Sequence, residues 1–395
     1  MNIKNFKTTT IVAILVAIIF IAEYTVTIYI QTVDLKKVRI SGAYKFLFQI
    51  VMVFLIDHKN LSKRFLFKLF FIVLIFIASL LLNPQLSSSF IWLLSEGSIY
   101  YLDRYLFIFL FTLMIYSRKD SYAIVKKSLW YIEIILLSNA TLILVSFLFG
   151  LDFFKSYYDS SRFGYDGLFN KPNEASIVYT IYLIYIYYNV FVNKTQKLIK
   201  FIFIICITLL IGTKSILLFL SMLFIFHFLL VFKGNKLLKP VILSLTITIL
   251  LFFLTIVKYV FSLSEFWSAI DEDNIITLLL SYRDFLVLKN IEYINLNWSA
   301  VNYFIGGTFY TKQFALSQMD GVDLFLFFGA FGTLAYCLLL GKILIRRNFI
   351  FNGLIIIVFI CAFLGGGLLT SAMAMILLFS VSFILNKNYQ ISQNV

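Results

Sequence analysis

The stretch SRFGYDGLFNKPNEASIVY, Ser161 to Tyr179, sets an Arg, two Gly, an Asp, a Lys, a Pro and a Glu between two apolar runs. Arg162 carries a planar fork of N–H groups that matches the oxygens of a phosphate, and Gly164 and Gly167 give a backbone that a ligand can approach closely. Asp166 is near enough in sequence to pair with that cation. Asn173 reads as a helix N-cap with Pro172 as the non-helical residue before it, and Glu174 falls in the positive first turn that follows. Capping explains Pro172, Asn173 and Glu174 whatever the protein does; it leaves Arg162 unexplained. Other polar groups punctuate the apolar runs: Lys214 within Gly212-Thr213-Lys214-Ser215, Arg283 within Tyr282-Arg283-Asp284, and the acids Asp320 and Asp323. Cys206, Cys337 and Cys361 fall inside apolar runs, where a thiol is a small apolar filler, and no disulfide framework or metal-ligand spacing is present.

The elements that must position these groups follow from composition. The chain has 395 residues, 62% of them hydrophobic and 19% aromatic. Its apolar runs of roughly 15–23 residues approach the ~20 that cross a bilayer core as a helix. This predicts an all-α polytopic integral membrane protein, a single domain over residues 1–395, with about twelve transmembrane helices. The spans are placed at 11–30, 40–56, 65–82, 102–117, 128–150, 175–192, 198–212, 215–232, 240–260, 322–344, 349–364 and 368–385. The first run follows Lys4 and Lys7 as in a signal peptide, yet it is too long for one and lacks a small-x-small exit. A formal charge of +14 in a soluble protein would suggest nucleic acid. Here the charge instead follows topology. With both termini cytoplasmic, the inner segments collect Lys59, Lys63, Arg64, Arg118, Lys119, Lys126, Lys127, Lys194, Lys197, Lys200 and further Lys and Arg, against only Asp57 and Asp120. Lys36, Lys37 and Arg39 in the first outward turn are the exception.

The long segments all face outward: residues 83–101, the first main external loop 151–174, and the large external loop 261–321. Within the last, Asn274 to Ile294 places Ile275, Leu278, Leu279, Tyr282, Leu286 and Lys289 on one face, which predicts an amphipathic helix at the membrane interface. Gly306 and Gly307 then mark a bend. Three glycines within Phe359 to Met375 predict a tight outward turn between the last two spans.

Arg162-x-Gly164-x-x-Gly167-x-Phe169-Asn170-x-Pro172-Asn173 resembles the R-x-x-G-x-F-x-N-P-N stretch of the O-antigen polymerase and ligase superfamily, the Wzy-type polysaccharide polymerases. This sequence departs from that pattern by inserting Lys171 between Asn170 and Pro172. Gly212-Thr213-Lys214-Ser215 resembles the family's T-x-S-R hairpin between two spans, with Lys214 where Arg is usual. Arg283, the Gly306-Gly307 bend and then Asp320 and Asp323 follow the layout of the family's large external loop. The Arg-x10-Gly spacing of some polymerases is absent after both Arg162 and Arg283. By motif the resemblance covers about 30 residues, by layout most of the chain.

The resemblance implies an undecaprenyl-diphosphate-linked oligosaccharide as substrate, joined to another repeat unit at the outer face of the bacterial cytoplasmic membrane without cofactor or metal. Fixed cations would then stabilise the departing diphosphate, with Arg162, Lys214 and Arg283 in that role and Lys171 as a fourth. Asp320, Asp323 and Asp166 are the candidates for a general base. Gly164, Gly167, Asn170, Lys171, Asn173 and Asp166 would lie against the substrate. Expected partners are membrane lipid, a chain-length regulator and the flippase of the same pathway, with no nucleic acid. His58 and His227 are both placed toward the cytoplasmic side, which favours a polymerase over an O-antigen ligase, whose outer loop is expected to carry a functional His. A lipid-linked oligosaccharide flippase is the rival from another class. Such transporters need ionisable residues at mid-membrane, and only Glu23, Lys45 and Glu133 are placed there.

Overall fold

The computed structural model describes residues 3–33, 40–81, 98–157, 162–231, 280–307, 316–345 and 348–393, together with 244 and 277. Helices α1 (Ile3–Val33), α2 (Ile40–Leu55), α3 (Lys63–Leu81), α4 (Ser98–Ser117) and α5 (Ser121–Phe149) form the first half. Next come α6 (Pro172–Tyr187), α7 (Leu198–Leu210) and α8 (Lys214–Phe226), with single π turns at Tyr188–Val192 and His227–Val231 extending α6 and α8. The rest is α9 (Arg283–Asn297), the one-turn α10 (Asn302–Ile305), α11 (Asp320–Leu344), α12 (Phe349–Gly365) and α13 (Ala372–Gln393). Among the described residues every regular element is helical apart from one isolated antiparallel bridge between Lys155 and Tyr165.

Seven of these helices are long and apolar enough to cross a membrane, and four shorter apolar helices accompany them. The fold is that of a helical membrane-embedded protein. Eleven of the placed spans coincide with these helices; the one at 240–260 lies outside the described residues, apart from Ser244.

Helices α6 and α13 form the centre. Ala175 to Ile184 are buried on every side of α6, and Met373 to Val381 on every side of α13. A helix that is apolar all round belongs inside a bundle. Helices α1, α4, α5, α7, α8, α11 and α12 surround this pair. The outward faces carry Phe54, Phe70, Leu81, Phe149 and Ile199, large apolar side chains that water would not tolerate in such density and lipid accepts.

Hydrogen bonds sort the connections into two ends. At one end Asp57 N–H donates to Ser117 Oγ at 3.0 Å, Thr9 Oγ1 donates to Asp120 at 2.9 Å, and Lys127 donates to Thr10 at 2.8 Å. Tyr187 and His227 bond there at 2.9 Å, and Asn348 donates to Tyr188. These are the connections rich in Lys and Arg. At the other end meet the loop 150–171, the turn 211–213, the start of α9, the start of α11 and the turn 366–371. All were predicted to share a side.

Two local expectations change. The N-cap of α6 is Lys171, in extended conformation, and Pro172 occupies the first helical turn; Asn173 lies inside the helix. Proline's fixed φ suits the first helical position, where its missing N–H costs nothing. Helix α9 begins at Arg283 and is separated from the helical residues Thr277 and Leu280 by Ser281 and Tyr282, whose positive φ, 55° and 66°, no α-helix can continue through. The large apolar side chains that α9 exposes are Phe285, Leu288, Ile291 and Leu296; of the expected face, Tyr282 and Lys289 are exposed and Leu286 is half-buried. Ile275, Leu278 and Leu279 lie outside the described residues. The predicted bend at Gly306 and the turn after Gly365 are both present.

Candidate functional site

The loop after α5 folds back on itself and onto the turn between α7 and α8. Ser156 N–H donates to Gly164 O at 2.9 Å, Asp166 N–H to Phe154 O at 3.2 Å, and Tyr165 N–H to Leu210 O at 2.8 Å. Ser156 Oγ adds a bond to Ile211 O at 3.3 Å. A Cβ on Gly164 would collide with Ile211 O, and one on Gly212 with Phe163 O. These two glycines therefore let two backbones touch. The expected opening of Gly164 toward a ligand is corrected: its missing side chain is used by the protein itself. Gly167 likewise faces inward, against the Asn139 amide.

Asn139 secures the loop from below. Its Oδ1 accepts from Leu168 N–H at 2.8 Å, and its Nδ2 donates to Asp166 O at 3.3 Å and to Tyr179 Oη at 3.1 Å. Sequence reading passed over Asn139, although a lone amide in an apolar span is a signal in itself.

The clamp brings the cations together. Arg162 leaves the loop half-buried, its Nη2 donating to Tyr157 Oη at 3.0 Å and its Cζ standing 3.8 Å from the centroid of the Tyr157 ring. Lys214 begins α8 on the turn to which the loop is clamped, beside Thr213, whose hydroxyl meets Ser176 of α6 at 2.6 Å. Arg162 and Arg283 exert the largest charge effects on Lys214. Arg283 enters from α9, its Nη1 donating to Leu364 O and its Nε buried with no hydrogen-bond partner among the described residues. Burial pushes both guanidinium groups below the ordinary arginine value; Tyr157 opposes this at Arg162, and Asp320, Tyr157 and Asp323 oppose it at Arg283. The three cations expected from the sequence thus share one end of the bundle and feel one another. Tyr157 lies against Arg162 and also feels the charge of Arg283.

The acids divide. Asp320 Oδ1 accepts from Gly367 N–H at 2.8 Å, and its Oδ2 from Leu368 and Leu369 N–H at 2.8 and 3.2 Å. Asp323 Oδ1 accepts from Ser317 N–H and Oγ, both at 2.8 Å. Both fasten neighbouring backbone while lending negative charge to Arg283. Asp166 differs: it is 4% exposed, and burial pushes its carboxyl up to about 8 against a stabilising bond from its own N–H. Asn170 and Lys171 are exposed at the loop exit, and Asn173 is half-buried on α6. Glu174 accepts from Ser371 Oγ, joining the start of α6 to the last turn.

Backbone strain gathers at the same end. Of the non-glycine residues with positive φ, Lys194 lies elsewhere, whereas Ser281, Tyr282 and Gln318 flank Arg283 and Asp320. Such conformations cost of order 1–3 kcal/mol each and persist where surrounding structure imposes them.

Comparison of the chain with protein-family models, with curated proteins and with solved structures gives no match.

Proposed function

We propose that this chain is a polymerase of the Wzy type, joining undecaprenyl-diphosphate-linked oligosaccharide repeat units into a surface polysaccharide at the outer face of the bacterial cytoplasmic membrane. It has about twelve spans and both termini in the cytoplasm. One observation carries the reading: Arg162, in the loop before α6, and Arg283, at the start of α9, both bear by charge on Lys214 at the start of α8. Half-buried cations held close to one another repel and lose hydration, and an anion between them relieves both costs. A lipid diphosphate is such an anion, and it lies where headgroups meet water.

In the reaction an acceptor sugar hydroxyl attacks the anomeric carbon of the donor glycan. A C–O bond to the acceptor forms, the C–O bond to the diphosphate breaks, and its electron pair leaves on the diphosphate oxygen. The hydroxyl proton passes to a base or to water. Arg162 and Arg283 would gain most from this step, since their N–H forks meet an oxygen whose charge grows as the bond breaks. The acceptor and the donor both arrive as membrane lipids. A flippase would supply them, and a chain-length regulator would set when they stop.

The rival readings find less to rest on. His227 bonds Tyr187 at the basic end, away from the cations, which leaves an O-antigen ligase without the histidine it is expected to carry at this site. The three ionisable groups placed at mid-membrane are neutralised, Lys45 and Glu23 by each other and Glu133 by Lys200 near the start of α7, as in a static bundle and not as in a flippase path.

Arg162→Ala and Arg283→Ala are each expected to abolish long polymer while the protein stays at normal abundance in the membrane. Electrophoretic profiles of the surface glycan measure this, and unchanged chain length in both variants overturns the proposal. Deleting the gene separates the classes: loss of a polymerase leaves single repeat units outside, whereas loss of a flippase leaves none.

A further inference from the structure

Something must hold Arg162 toward Lys214 and Arg283. An arginine side chain has about 2 kcal/mol of rotamer entropy to lose on being fixed, and repulsion from two neighbouring cations pushes it outward. Tyr157 answers both demands with one side chain. Its ring lies under the guanidinium, Cζ to centroid 3.8 Å, so the negative ring face attracts the cation. Its hydroxyl accepts from Nη2 at 3.0 Å, which fixes the rotation of the fork as well as its place. Tyr157 itself is held by the antiparallel bridge between Lys155 and Tyr165 and by the bonds of Ser156 to Gly164 and Ile211. The charges that bear on it are Arg162, Asp166 and Arg283.

We propose that Tyr157 is a positioning residue that keeps the Arg162 guanidinium beside Lys214 and Arg283 and so fixes the spacing of a diphosphate-binding triad. The assignment rests on the polymerase reading for its ligand, but its geometry is independent of which sugars are joined. It also explains why the loop is clamped so firmly: the hairpin that carries Tyr157 and the turn that carries Lys214 form one unit, so the two cations cannot drift apart.

The test uses the full-length protein in lipid nanodiscs and undecaprenyl diphosphate as the probe, with undecaprenyl monophosphate as the control. Arg162→Ala weakens diphosphate affinity about tenfold or more, and Tyr157→Leu, which keeps bulk but removes ring and hydroxyl, weakens it about tenfold. Tyr157→Phe, which keeps the ring, stays within about threefold of the natural protein. The Arg162→Ala, Tyr157→Leu double variant binds no worse than Arg162→Ala alone, because Tyr157 acts through Arg162. A weakened Arg162→Ala beside an unaffected Tyr157→Leu overturns this assignment alone, as do losses that multiply in the double variant. An Arg162→Ala protein that binds diphosphate normally overturns the diphosphate reading itself and the assignment with it. Melting temperature of each variant, expected within a few degrees of the natural protein, separates lost binding from lost fold.

Discussion

At neutral pH the Asp166 carboxyl keeps its proton, because burial raises it to about 8. An unfolded Asp releases its proton near 3.9, so between about pH 4 and pH 8 the folded protein binds one proton more than the unfolded chain. Stability contributed by this group is therefore full below about pH 4 and is lost as pH rises to about 8, at about 1.4 kcal/mol per pH unit. Thermal unfolding in nanodiscs from pH 6 to 9 is expected to show a melting temperature that falls toward pH 8 and then levels, with Tyr157 as the ionisable neighbour. Asp166→Asn removes that part of the slope; equal slopes in the two proteins refute the assignment. At this scale the sequence was readable where a residue had no packing reason to exist. Arg162, followed by two closely spaced glycines, is such a residue. Tyr157 was not, as one of 24 Tyr and 46 Phe. The backbone contacts of Asp320 and Asp323 were hidden for a related reason. An acid at a helix start looks the same in sequence whether it faces water or captures the backbone of a turn 47 residues away.

Between elements, the decisive joint is the one between the hairpin of loop 150–171 and the turn before α8. Gly212 sits there with φ 72°, and an added Cβ would run into Phe163 O and lie 2.9 Å from Gly164 Cα. Because the obstacle is backbone, no side-chain rotation relieves it, and the loop must lift from the turn. Gly212→Ala is expected to cost on the order of 1–3 kcal/mol at this joint and to lower undecaprenyl diphosphate affinity about tenfold, with helix content by circular dichroism unchanged. Wild-type affinity in that variant would mean the joint does not position the cations. The helices themselves were legible, since apolar runs of spanning length leave the backbone no other way to satisfy its hydrogen bonds in lipid. Their starts were not. Pro172 displaced Asn173 from the cap by a geometric preference only one residue wide. The start of α9 depends on two consecutive left-handed residues, Ser281 and Tyr282, neither of a type that announces such a conformation.

Across the whole molecule, charge and hydrogen bonding make the same division. Lys59, Arg118, Lys119, Lys127, Lys194 and Lys200 lie at the end where α1, α5, α7 and α12 begin, whereas the cation triad lies at the end where α6, α8, α9, α11 and α13 begin. The positive-inside rule assigns the first end to the cytoplasm. On the proposed topology the triad faces outward, and its three cations do not contradict that rule, because they are fixed at a site instead of being spread through connecting loops. Lys171 and Lys119 are both exposed and mark the two ends. In a chain carrying Cys206→Ala, Cys337→Ala and Cys361→Ala, a membrane-impermeant maleimide is expected to label Lys171→Cys in intact cells. Lys119→Cys should react only after permeabilisation. The reverse pattern would turn the triad toward the cytoplasm. Repeat units are assembled on that side before export, so cations gathered there would meet the substrate of an earlier step, and a polymerase reading could not survive the result.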